Sequence, residues 1–112
     1  MKIFIYLSIM TCLLMGSKAI KEPGFVNGKV ENGKGSGVSD VEIFLDESGA
    51  RIGSTNWFGN FTLKFMLDKG ELKHFQVKFM KDGYNELQTS VNAEGGTTKT
   101  YNAPFIMSEA GV

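Results

Sequence analysis

The chain has 112 residues, which sets an expectation of one domain, and equal numbers of acidic and basic side chains, so its formal net charge is zero. That balance excludes the strong electrostatic attraction on which nucleic-acid binders depend. Fourteen glycines against two prolines, scattered among aromatic and β-branched residues, indicate many tight turns between short strands.

The first nineteen residues read as a secretory signal peptide. Lys2 precedes an apolar run from Ile3 to Met15, and Ser17 and Ala19 supply the small side chains that signal peptidase needs for a cut after Ala19. The run is well short of the roughly 20 apolar residues that cross a bilayer, so a membrane anchor is the weaker reading and no membrane insertion is expected after cleavage. Cys12, the single cysteine, raises the alternative of a lipid-anchored surface protein. The residues before it, Ile9-Met10-Thr11, suit lipid attachment poorly, and Cys12 fits better as part of the apolar run. Cleavage then leaves a mature secreted chain (periplasmic, if the source is bacterial) without disulfide or thiolate.

Residues 20–24 read as a short exposed leader and 25–107 as the folded domain. Phe25 to Glu31 is a strand with Val26, Gly28 and Val30 on one face, the glycine marking a bulge or a close backbone approach. Asn32 to Gly37 is a flexible loop that lacks the Gly-Lys-Ser/Thr of a phosphate-cradling turn. Val41 to Leu45 alternates cleanly, Asp46 to Gly49 is a turn, and Arg51 to Thr55 is a short strand. A tight turn, Asn56-Trp57-Phe58-Gly59-Asn60, leads into Phe61-Thr62-Leu63-Lys64-Phe65, with the aromatics on the inner face.

Leu67 to Lys73 is polar and reads as a loop or at most one helical turn. Phe75, Val77 and Phe79 face inward from the next strand, Lys81-Asp82-Gly83-Tyr84 is a turn, and Leu87, Thr89 and Val91 face inward from the strand after it. Thr97 to Met107 is a last strand interrupted by Pro104, and 108–112 is a flexible tail. With no helical periodicity and no repeat, the reading is an all-β, seven-stranded antiparallel sandwich of two sheets, Greek-key in type, with Phe61, Phe65, Phe75 and Phe79 dominating the interior.

The order Val26-x-Gly28-x-Val30, the glycine loop, Gly37-Val38 with Val41-x-Ile43-x-Leu45, Thr55 and Gly59-x-Phe61-x-Leu63, Phe75-x-Val77 and Lys81-x-Gly83-Tyr84 resembles a carboxypeptidase regulatory-like domain, a transthyretin-like (prealbumin-like) sandwich. The resemblance spans roughly residues 25–91. It implies an accessory module of secreted and surface proteins without catalysis of its own. The chain departs from the pattern at the turn before Gly59, where the family carries Asp and this sequence has Asn56, Trp57 and Phe58. A related fold hydrolyses a product of purine breakdown with several histidines and a C-terminal signature, and this chain has neither, so a hydrolase is the minor alternative.

Chemistry-bearing residues are sparse. His74 is the one histidine, too few for a zinc site, and is expected to be polar surface. Asp40, Asp46, Glu47 and Asp82 sit in turns, where short carboxylates cap local backbone. No catalytic residue, cofactor or metal site is expected. Lys29 and Asn102 occupy strands that carry an isopeptide bond in some sandwiches, but Lys29 should face outward.

The candidate contact residues are Trp57 and Phe58. Aromatics are commonly buried, which favours Trp57 folding over to plug the open end of the sandwich. The alternative is a contact platform for an extracellular protein or a glycan. Asn60-Phe61-Thr62 matches the N-glycosylation triplet, which has meaning for a eukaryotic source. An open edge strand would allow self-association by sheet extension.

Overall fold

Alternating apolar side chains pair the strands face to face around one interior. A computed structural model describes residues 20–111, so the signal peptide and Cys12 lie outside the described residues. Among the described residues eight strands follow one another without a helix: β1 (Lys21–Glu31), β2 (Glu42–Leu45), β3 (Arg51–Ser54), β4 (Asn60–Asp68), β5 (Leu72–Met80), β6 (Leu87–Glu94), β7 (Thr98–Thr100) and β8 (Phe105–Ile106). One sheet runs β4-β1-β7, with β8 also on β1; the other runs β3-β2-β5-β6. The two sheets stack as a sandwich, as the period-2 pattern predicts.

The interior is built from both inner faces. Val26, Val30, Phe61, Leu63, Phe65 and Leu67 come from the first sheet, and Ile43, Val77, Phe79, Val91 and Ala93 from the second. Phe61, Phe79 and Phe105 form a triangle of tilted rings with centroids 5.4–5.8 Å apart. Phe65 stacks on Phe75 at 4.0 Å, and Phe75 is half-buried, nearer the rim. Gly28 is a close approach: a Cβ there would lie 2.5 Å from the Phe61 ring. The glycine leaves the space that the aromatic triangle fills.

Several expectations need correction. The supposed leader from Lys21 to Gly24 is the first part of β1, paired with Phe65–Asp68 of β4. The supposed loop at Leu67–Lys73 is two strand ends joined by a turn at Lys69-Gly70, where Gly70 has φ of +79°. Leu67 continues the Phe61-Leu63-Phe65 alternation and is buried, and this outweighs the polar composition around it.

The last strand is two short strands, which raises the count from seven to eight, and both pair with β1 in parallel. The chain reaches that side from β6 in the other sheet, and such a crossover permits parallel neighbours. The tail is not loose as far as it is described. Glu109 bridges to Tyr84, the Asn85 amide donates to the Ser108 carbonyl, and the Ala110 amide donates to the Gly83 carbonyl.

Candidate functional site

The Asn56–Asn60 turn is held from inside and from below. The Asn56 side-chain oxygen accepts hydrogen bonds from the Phe58 and Asn60 amides at 2.9 and 3.0 Å. The Gly59 amide donates to the Asn56 carbonyl at 3.0 Å, and the Asn56 amide to the Asn60 carbonyl at 2.9 Å. Gly59 has φ of +86°, so the left-handed turn position falls on the residue that adopts it without strain. Its carbonyl accepts from the Val30 amide at 2.8 Å, which seats the turn on β1.

The loop after β1 clamps the other side. A Cβ on Gly37 would lie 2.1 Å from the Phe58 carbonyl oxygen, so the two backbones touch only because position 37 is bare. Thr55, 3% exposed, bolts the pieces together. Its hydroxyl donates to the Val38 carbonyl at 2.7 Å and accepts from the Val41 amide at 2.9 Å. The turn is therefore a braced projection.

Both aromatic rings stand outside this brace. Trp57 is 81% exposed and Phe58 66%. The expected plug over the end of the sandwich does not form, because Val30, Val38 and Gly59 already close that end in backbone contact. Asn60, the first residue of β4, is exposed, and its side chain makes no hydrogen bond among the described residues.

Two shallow depressions flank Asn60. One, of about 270 Å³, is bordered by Ser54, Asn56, Asn60 and Thr62; the other, of about 310 Å³, by Asn27, Lys29, Thr62 and Thr100. Both are bordered by Asn60, Phe61 and Thr62, so they make a two-part trough along β4: one part lies beside the turn at Asn56, the other spans β4, β1 and β7, and Trp57 and Phe58 border neither. Across its middle the Thr62 hydroxyl donates to the Asn27 side-chain oxygen at 2.7 Å. The Lys29 ammonium is paired with Glu31 at 3.4 Å.

Other singled-out residues lie elsewhere. His74 is exposed on β5 and hydrogen-bonded to Asn92. Lys29 faces outward, as expected, and Asn102 is exposed between β7 and β8, so neither has the buried setting an isopeptide bond needs. Among the described residues, no three His, Cys, Asp or Glu side chains gather where they could hold a metal ion, and no helix is long and apolar enough to cross a membrane. The Thr55 bolt, the Gly37 contact and the Asn27–Thr62 bridge escaped the sequence reading. Each joins residues more than ten positions apart, and only the bare glycines hinted at close approach.

Fold and site together define a two-sheet β-sandwich that presents a braced aromatic turn. No protein-family model and no curated protein matches the chain. Among solved structures it is similar to the crystal structure of 3-chlorocatechol 1,2-dioxygenase from Rhodococcus opacus 1CP, with a TM-score of 0.56 and 14% identity. The match covers 86% of this chain and 63% of that one, so this chain spans less than two thirds of the dioxygenase's length. At that identity the likeness is one of fold alone.

Proposed function

We propose that the chain is a secreted, non-enzymatic binding module of the carboxypeptidase regulatory-like type, which contacts an extracellular protein or glycan through Trp57 and Phe58. The observation that carries this reading is two large aromatic side chains, 81% and 66% exposed, on a turn whose backbone is braced on every side. Exposed aromatics on a rigid support bury large area on contact at little cost in side-chain entropy. Bracing of the backbone lowers the ordering cost of association further.

The test is capture. The full chain, expressed with its own N-terminus and immobilised, is offered a panel of extracellular proteins and glycans beside the Trp57→Ala/Phe58→Ala variant. The reading expects a ligand that the variant no longer holds, with an unchanged unfolding midpoint. Equal capture by both proteins overturns it. Intact mass of the processed chain separates cleavage after Ala19 from lipid attachment at Cys12.

A further inference from the structure

We infer that the ligand of the aromatic turn is an uncharged saccharide, lying with an apolar ring face on Trp57 or Phe58 and its hydroxyls in the trough beside Asn60. This rests on the binding-module reading above and narrows it to one chemical class.

Away from the turn, a depression of about 660 Å³ at the end of the second sheet carries Asp40, Glu42, Asp82 and Glu86. Another, of about 470 Å³ between β6 and β7, carries Lys73, His74, Lys99 and Glu94. The two-part trough bordered by Asn56 and Asn60, the ends of the aromatic turn, is different. The polar part of its border is hydroxyl and carboxamide, from Ser54, Asn56, Asn60, Thr62, Asn27 and Thr100, beside the aromatic Phe61 and Tyr101. Lys29 is its single charged member and is neutralised by Glu31. A charged ligand would find no counter-charge there, and its desolvation would go uncompensated.

The polar inventory fits a polyhydroxylated ligand. Carboxamides and hydroxyls both donate and accept, as sugar hydroxyls do. Among the described residues the Asn60 carboxamide makes no hydrogen bond, which leaves its donor and acceptor to a ligand. The Thr62–Asn27 bridge uses the hydroxyl proton and one carboxamide oxygen, which leaves the Asn27 amino group and the Thr62 lone pairs to a ligand.

From β4 to β7 the trough crosses two strand spacings, about 10 Å, which suits a short run of sugar units.

Trp57 is the only tryptophan in the chain, so its emission reports on this site. Protein made in bacteria, with Asn60 unmodified, is titrated with neutral cello-, malto-, xylo- and chito-oligosaccharides (the last N-acetylated). Polygalacturonate and heparin serve as acidic controls. The expected result is a saturable emission change with at least one neutral series and affinity indifferent to salt. Asn60→Ala should weaken binding about tenfold without moving the unfolding midpoint, and the Trp57→Ala/Phe58→Ala variant, followed by calorimetry, should abolish it.

No response to any neutral series overturns the saccharide assignment, as does preference for the acidic polymers with steep salt dependence. If in either case the wild-type turn still captures a protein that the double-alanine variant releases, the binding-module reading stands and only its ligand class falls.

Discussion

At the residue scale, Gly59 and Trp57 show how differently two neighbours in one turn are constrained. Gly59 combines φ of +86° with a Cβ position 2.5 Å from the Val30 carbonyl oxygen, so Gly59→Ala meets both backbone strain and a clash with main chain. A loss of about 2–4 kcal/mol is expected, read as a lower urea midpoint at constant m. A change below about 0.5 kcal/mol would show that the turn can shift off β1. Trp57→Ala, by contrast, should leave stability within about 0.5 kcal/mol, because the ring has little to lose on truncation. Thr55→Val is the sharper probe of the brace. It keeps shape and volume but strands the buried Val41 amide and Val38 carbonyl, and should cost about 1–3 kcal/mol.

At the scale of elements, β4 bears both the aromatic interior and an open edge. It pairs with β1 alone, and its outward residues, Thr62, Lys64 and Met66, are exposed. Sheet extension along this edge is the route by which the chain would self-associate, and Lys64 at its centre opposes it with charge. Lys64→Val should therefore raise the dimer fraction in light scattering at high concentration. An unchanged mass distribution would show that the edge is blocked by something other than charge. At the other sheet's edge, β3 is protected differently: it is four residues long, and its register with β2 slips between Ile43 and Phe44, a bulge that interrupts regular pairing.

At the scale of the whole molecule, the sandwich is closed by its last residues. Met107 is buried, and Ser108 and Ala110 pair with the turn at Gly83–Asn85. Truncation after Met107 removes two backbone hydrogen bonds and the Asn85–Ser108 side-chain contact, and should cost about 1–3 kcal/mol. Hydrogen exchange at Asn85, whose amide loses the Ser108 carbonyl, should speed up in the truncated chain. Unchanged protection there would mean that the tail rests on the surface without supporting it.

Local pattern determined the fold class and most of the core before any coordinates. A period of two in Phe61-Leu63-Phe65 and Phe75-Val77-Phe79 demands strands that bury one face, and it placed Phe61, Phe65 and Phe79 in the interior where they lie. It also located the turn at Gly59, because a left-handed residue is written into the chain as a glycine. Tertiary structure decided what alternation does not encode: that β1 begins at Lys21, that β7 and β8 run parallel to β1, and that Trp57 stays in water. The reason is common to all three. Which strand becomes a neighbour, and which backbone already fills the end of the sandwich, depends on residues tens of positions away, and the periodicity of a single segment carries no information about them.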